Sequence, residues 1–365
     1  MRNIYIGICL SPYRVDLCNN LYADYGFDIY HLYEECAGGI SSDLLYAKAV
    51  FPKRFMSGGK TLGLKGFRQL WKIMRENEPE IIFTPEFSII TICAVLIRSL
   101  LGLKCKVVSL CDDSIDMIKG NDFTFTHRIG RRFVPSIVDE ILSSDKEACS
   151  WYIEHCGKGV YFPVIADETV FRARLEAALP ISSENEKKYG LRHKKVVLYI
   201  GRLVTIKRAG DLIRAYATVK ARDNALVIVG DGEEMEKLRN LDRELGTDAV
   251  FTGLLEGDEL LSWYNIADVH VLPSVREPFG AVVNEALLAG CPSVLSHKCG
   301  ARTIIEPGVN GVVFEAGNVA DLSEKLRHVL DNVPLKETLT VRESLMGIRF
   351  CQALDDAMRK IKGGS

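Results

Sequence analysis

The chain lacks most of the signals that settle a function early. It has no excess of one charge, since 46 Lys and Arg face 48 Asp and Glu. Nothing in that balance points to nucleic acid held by general positive charge, and no nucleic-acid partner is expected. Its eleven cysteines, scattered from Cys9 to Cys351, include no Cys-x-x-Cys pair, and no His/Cys group has metal-ligand spacing. No metal site is therefore indicated, and thiols reduced in a cytoplasm are expected. The longest apolar run, "FSIITICAVLIRSLLGL" at 87–103, reaches 17 residues and carries Arg98. That is marginal for a membrane span and is read as a buried helix. The opening "MRNIYIGICLSPYR" has an apolar run too short and strand-like for a secretory signal and no small-residue cleavage site. No Gly-x-Gly-x-x-Gly follows a strand, which argues against a dinucleotide dehydrogenase. "RFMSGGKT", residues 54–61, imitates the end of a P-loop, but Arg54 stands where the first Gly is required and no strand precedes it; it is read as a loop. No short repeat or low-complexity tract is visible.

What is present is an ordinary globular composition. With 365 residues, 47% hydrophobic and 26% charged, the chain is long enough for about two domains with their own cores. Short runs rich in Ile, Val and Tyr ("NIYIGICL", "FDIYHLY", "EIIFTP", "KVVSL", "DEILSS") alternate with amphipathic runs, the first a helix near Val15 to Tyr25. This is βα alternation, so an α/β fold with parallel sheets is predicted. The pattern fades from Pro163 to Lys195, read as a charged connector, and a second series follows: "KVVLYIG", "ALVIVGDG", "AVFTG", "DVHVLPS", "CPSVLS", "GVVFEAG". Two doubly wound domains facing a cleft are expected, over residues 1–163 and 164–343, with a helical segment 344–365 crossing back to the first.

The chemistry concentrates in "SVREPFGAVVNEALLAG", residues 274–290, which sets Glu277 and Glu285 eight positions apart. A strand ends at Pro273 and a helix pattern closes at Gly290, so "VREPFG" lies at the carboxyl end of a parallel strand and the start of a helix. Ligands of open α/β sheets bind there, and a helix N-terminus favours anions. Gly280 permits close approach of the Phe279-Gly280 backbone. Glu277 in the loop and Glu285 in the helix suit hydrogen bonds to two parts of one sugar-bearing ligand. Taken alone they equally suit a hydrolase acid/base pair, or a solvated loop acid with a helix acid near a dipole. At the end of the second series' first strand, "YIGRLVTIKRAGDLI" brings Arg202 and Lys207 to the next helix start. Two fixed cations there suit a diphosphate, Arg as a planar fork and Lys as a point charge; each alone is also an ordinary surface cation. "VIVGDGEEM" and "FTGLL" add loops at the same sheet edge, or simple turns.

Together "GRLVTIK", "VIVGDGEE", "FTGLL", "EPFGAVVNE" and "EPGVNGVVF" resemble the retaining GT-B glycosyltransferases of the family-4 type, over most of residues 196–330. The resemblance implies two Rossmann-like domains and transfer from a nucleoside-diphosphate sugar. It implies that Glu277 and the Phe279-Gly280 backbone engage the donor sugar, Arg202 and Lys207 the diphosphate, and Glu285 the ribose hydroxyls. Gly201, Gly230 and Leu254 fall beside the nucleotide in the matching stretches. No cofactor and no metal are implied, because the cations and helix dipole stabilise the departing diphosphate.

The chain also departs from the family. Its first βα loop, "LSPYRVDL", has no Gly-Gly pair, leaving Arg14 to face phosphate or acceptor, or simply solvent. "CDDS" places Asp112 where members have a His; Asp112 and Asp113 suit sugar hydroxyls, the acceptor, or helix capping. His127 is the nearest imidazole, in a site role or a structural one. Cys299 and Thr303 stand where Gly and Glu are usual. Between Lys48 and Arg75 lie eight Lys or Arg and no acid. Lys65, Arg68, Lys72 and Arg75 share one helical face, suited to anionic lipid or to plain solvent. The resulting expectation is a cytoplasmic or membrane-peripheral glycosyltransferase acting on a saccharide or lipid-linked saccharide, as in bacterial surface polysaccharide synthesis. A sugar-nucleotide epimerase or hydrolase, or a non-catalytic nucleotide-binding subunit, are the alternatives.

Overall fold

The computed structural model describes residues 2–34, 42–57, 62–121 and 123–363. The chain forms two compact units, Met1–Val164 with Cys351–Ser365, and Ile165–Phe350.

Unit 1 runs β1 (Asn3–Gly7), α1 (Val15–Asp24), β2 (Phe27–His31), α2 (Ser42–Tyr46), α3 (Gly63–Asn77), β3 (Ile81–Pro85) and α4 (Ile89–Leu101). It continues with β4 (Lys106–Cys111), α5 (Ile115–Gly120), α6 (Phe125–Ile137), β5 (Glu140–Ser143), α7 (Lys146–Cys156) and β6 (Val160–Tyr161). The sheet is parallel in the order β2-β1-β3-β4-β5-β6. β3 is buried along its whole length, which is why its sequence is a continuous apolar run rather than an alternation. Side-chain caps start the helices that follow: Ser88 accepts from Thr91 N–H before α4, Thr124 from His127 before α6, and Asp145 from Ala148 before α7.

Unit 2 runs α8 (Glu168–Ala177), α9 (Leu179–Lys188), β7 (Lys195–Ile200), α10 (Ala209–Val219), β8 (Asn224–Val229), α11 (Met235–Leu245) and β9 (Val250–Gly253). Then come α12 (Gly257–Ile266), β10 (Val269–Leu272), α13 (Ala281–Leu288), β11 (Ser293–Ser296), β12 (Gly311–Phe314) and α14 (Val319–Asn332). Its six strands lie in the order β12-β11-β10-β7-β8-β9. Leu212, Tyr216 and Leu326 fill one side of the sheet, and Phe171, Leu175 and Trp263 belong to a second core cluster. The segment read as a charged connector is therefore mostly α8 and α9. Its few apolar residues are spaced to bury Phe171, Leu175 and Ala178, while the charges face water.

α15 (Phe350–Lys362) belongs to unit 1 from Cys351 onward. There Asp355 accepts a hydrogen bond from Tyr25, and the Ile361 carbonyl accepts one from Lys106 at 2.7 Å. Helix was expected from Ser344, but residues 342–346 lie along unit 2. Arg342 donates to the carbonyls of Tyr264 and Ala289, and Leu345 N–H to Leu287, which commits this backbone to a non-helical path.

The run at 87–103 is a helix of 13 residues, α4, about 20 Å long at 1.5 Å per residue. It is not buried all round: Ile90, Ala94 and Ile97 face inward, while Ile89, Ile92, Leu96 and Leu100 are exposed. Among the described residues no helix is long and apolar enough to cross a membrane. Among the described residues nine cysteines are free thiols but Cys9 is disulfide-bonded, so reduction throughout does not hold at Cys9. In "RFMSGGKT", residues 54–57 run beside the end of β2, with Arg54 paired to Asp28 at 2.7 Å; residues 58–61 lie outside the described residues.

Candidate functional site

In unit 2 the strand order reverses between β7 and β10, and a crevice outside the strand ends at such a point is the ligand position of open α/β sheets. The loops leaving these two strands carry Lys207 and Glu277, whose side chains form an ion pair, 16% and 13% exposed. The same loops are tied by their backbones, Val275 N–H donating to the Ile206 carbonyl at 2.9 Å. Glu277 is held from its other side by the loop after β11: its N–H donates to Lys298 and its carbonyl accepts from Gly300. Gly300 is required there, because a Cβ would fall 1.9 Å from the Pro278 carbonyl oxygen. Arg202, on the loop after β7, is exposed and makes no ion pair with any described residue. Its carbonyl accepts from the buried Tyr199 hydroxyl at 3.0 Å, so the backbone is anchored while the guanidinium stays available.

α13 starts from Gly280 at φ 93°, a conformation that costs a side-chain-bearing residue strain, and has no side-chain cap. No capping group therefore competes for its first turn, where the helix dipole favours an anion. Phe279 is buried, and its carbonyl accepts from Ala301 N–H at 2.7 Å and from the Cys299 thiol at 3.0 Å. Cys299 thus props the loop from below. Burial first, then the Glu277 charge, pushes its thiol well above the usual range. The Thr303 hydroxyl donates locally, to the Gly300 carbonyl. Glu285 accepts a 2.6 Å hydrogen bond from Tyr264, a fully buried residue of α12. The two acids of 274–290 consequently have different partners: Glu277 faces a cation, whereas Glu285 is oriented by a phenol.

The glycines bring neighbouring loops into backbone contact. Gly230, at φ 139°, sits so close that a Cβ would lie 1.9 Å from the Gly201 carbonyl oxygen, and its N–H donates to Gly253 at 2.8 Å. Leu254, just beyond, is exposed. A separate hollow of about 730 Å³, lined by Arg208, Arg214, Lys237 and Glu244 among others, includes neither Lys207 nor Glu277.

Unit 1 gathers a second polar cluster at its own reversal point, between β1 and β3. Arg14 pairs with Asp112, which also accepts from Tyr13 at 3.4 Å; Arg14 is thus not a free surface cation. Asp113 is nearly buried, and its Oδ2 receives Tyr152 Oη at 3.4 Å, with Arg131 Nε and His127 Nε2 each at 3.6 Å. Neither aspartate caps α5, a role taken by Ser114. His127 lies between Asp113 and Glu86, its Nδ1 3.5 Å from Glu86 Oε2, and stacks on Phe123 at 4.9 Å. Asp113 is the main cause that holds the imidazolium above its ordinary range, with burial opposing. Nε2 is buried without a hydrogen bond at this separation. Glu86, immediately after β3 at φ 41°, is pushed up to about 7 by burial and by the neighbouring Asp113.

Glu86, Arg131 and Tyr264 were not identified from the sequence. Glu86 had a readable signal, an acid directly after a fully apolar strand, where side chains project at the sheet's carboxyl edge. Tyr264 had none, since only the packing of α12 brings it to α13. On α3, Lys65, Arg68, Lys72 and Arg75 are all exposed.

Two α/β units, each with a parallel six-stranded sheet and polar loops at its reversal point, define the GT-B class of fold. Residues 182–342 match the family Glycosyl transferases group 1. It is 40% identical over 147 residues to the uncharacterized glycosyltransferase MJ1607 of Methanocaldococcus jannaschii, covering 40% of this chain and 38% of that one. The match thus spans less than half the length of that curated relative. Among solved structures, Anabaena Alr3699/HepE in complex with UDP-glucose superposes with a TM-score of 0.73 over 100% of both chains at 17% identity. Lipopolysaccharide outer core galactosyltransferase WaaB superposes with 0.68 over 99% of both at 19%. At such identities the likeness is one of fold.

Proposed function

We propose that the protein is a retaining, metal-independent glycosyltransferase that moves a sugar from a nucleoside-diphosphate donor to a saccharide or lipid-linked saccharide. The observation that carries this reading is the Lys207–Glu277 pair at the reversal point of unit 2, beside the uncapped start of α13. HepE was crystallised with UDP-glucose, which supports a uridine donor, and WaaB acts on lipopolysaccharide, which supports a surface-polysaccharide acceptor.

The chemistry follows from where charge develops. As the bond from the anomeric carbon to the phosphate oxygen breaks, the sugar gains oxocarbenium character and the diphosphate gains negative charge. Lys207, Arg202 and the α13 N-terminus stabilise that charge. Glu277 aims Lys207 and accepts from sugar hydroxyls, and the Phe279-Gly280 backbone supports the same sugar. Glu285, oriented by Tyr264, accepts from the ribose. Gly201, Gly230 and Leu254 form the nucleotide's floor. The acceptor oxygen attacks the face the diphosphate leaves, its proton passes to a departing phosphate oxygen, and configuration is retained. In unit 1, Glu86, His127 and Asp113, flanked by Arg14, Asp112 and Arg131, hold the acceptor's hydroxyls. A lipid-linked acceptor would bring the protein to the inner face of a membrane, where Lys65, Arg68, Lys72 and Arg75 meet anionic headgroups.

The test is incubation with a panel of sugar nucleotides, with chelator, with and without acceptors. Acceptor-dependent release of nucleoside diphosphate and a product of unchanged anomeric configuration are expected. Release without acceptor, a changed sugar on intact nucleotide, or binding without turnover would each replace the reading by hydrolase, epimerase or binding subunit.

A further inference from the structure

Unit 1 has an outer helical layer whose apolar side chains face away from its own core. α3 packs on α4 and α4 on α6, with Gly130 of α6 so close to the start of α4 that a Cβ would lie 2.3 Å from the Phe87 carbonyl oxygen. On α6, Phe125, Ile129 and Phe133 recur every four residues and are 71%, 45% and 58% exposed. On α4, Ile92, Leu96 and Leu100 form a parallel exposed stripe. Soluble surfaces scatter such residues singly; two adjacent stripes mark a docking face.

The charges around the stripes select the occupant. Arg128 and Arg132 alternate with the exposed apolar residues of α6, and neither α4 nor α6 contains an acidic residue. α3 adds its four exposed cations, and its one acid, Glu76, is 3.9 Å from Lys72. In a chain whose formal net charge is −2, this cationic face is a local concentration. A two-fold pairing of copies through it would set these cations against themselves. Aromatic and aliphatic side chains bracketed by Arg and Lys instead match the headgroup boundary of an anionic bilayer, where the apolar face is buried and the cations meet lipid phosphates.

We propose that the α4–α6 face of unit 1 docks on an anionic membrane surface, with Phe125, Ile129 and Phe133 inserted at the acyl boundary and Arg128 and Arg132 on lipid phosphates. The α3 cations supply longer-range attraction. This deepens the lipid-linked acceptor reading and locates insertion on helices other than α3. α6 presents His127 and Arg131 to the Asp113 cluster and the apolar stripe to the surface, so one helix joins the membrane face to the cluster assigned to acceptor hydroxyls.

The test is sedimentation of the full chain with phosphatidylglycerol-containing and with pure phosphatidylcholine vesicles, at low and high salt. Binding is expected to anionic vesicles only. The variant F125S/I129S/F133S should lower it at least tenfold while keeping the far-UV spectrum, melting temperature and transfer to a water-soluble acceptor. Reversal of Lys65, Arg68, Lys72 and Arg75 to Glu should leave a salt-resistant remainder. Absence of wild-type binding to anionic vesicles, equal binding by the serine variant, or self-association lost in that variant would each overturn the proposal. Vesicle binding without any sugar transfer would sink the glycosyltransferase reading alone, and transfer without vesicle binding the membrane face alone.

Discussion

The Tyr264 hydroxyl donates to Glu285 Oε2 over 2.6 Å, from the buried second half of α12. A carboxylate fixed by a buried phenol is pre-oriented for a ligand hydroxyl, because its rotamer is not renegotiated on binding. Hydrogen bonds to charged groups contribute about 1.5–3 kcal/mol. Tyr264→Phe is therefore expected to weaken UDP binding about tenfold in calorimetry while leaving kcat within about threefold, and Glu285→Ala to weaken it at least as much. Unchanged affinity in both would remove Glu285 from the nucleotide site.

Gly230→Ala should destabilise unit 2 by about 2 kcal/mol or more, since φ 139° is strained for Ala and the added methyl meets the Gly201 carbonyl. A lowered urea midpoint and weaker UDP binding together are the expected readings. Gly246→Ala, at φ 58° with no atom within 4 Å of the new methyl, should cost less.

Glu86 gives a pH signature of definite sign. Its folded carboxyl is raised to about 7, so the native state holds this proton more tightly than the unfolded chain does. The stability it contributes is full below about pH 4.5 and is lost as pH rises through 7. Relative to Glu86→Gln, the wild type should lose stability between those values and run parallel above them, measured by urea titration across pH. Parallel behaviour over the whole range would show that Glu86 is not held protonated.

His270 and His31 act in the opposite sense. Burial lowers them to about 3 and about 4, so each is neutral in the fold. Stability is full above pH 6.5 and declines as pH falls toward those values. His270→Gln, which carries no titration, should flatten part of the acid limb in thermal melts between pH 6 and 4; an unchanged limb would contradict the assignment.

Much of this architecture was legible because parallel strands buried on both faces must be written as short apolar runs. "KVVLYI" and "ALVIV" could hardly be read otherwise, whereas it was the family resemblance that assigned Lys207 and Glu277 to one ligand, and their ion pair was not expected. What resisted was set by packing at long range. The helices α8 and α9 hide their apolar spacing in a charged background. The outward stripe of α4 cannot be told from a buried helix by hydropathy alone. Cys299 reads as a substitution of a family glycine, yet its thiol has a definite place under the Phe279 carbonyl. His127 gained its meaning only when Glu86 and Asp113 arrived on either side of it from two different strands.

The most direct test concerns Lys207. With the donor identified from the nucleotide panel, kcat for acceptor-dependent diphosphate release and the dissociation constant of the intact sugar nucleotide should be measured for wild type and Lys207→Met. A cation that acts on charge developing at the leaving oxygen should cost about 100-fold in kcat when removed, with donor binding changed no more than threefold. Turnover at the wild-type rate in Lys207→Met would contradict the account.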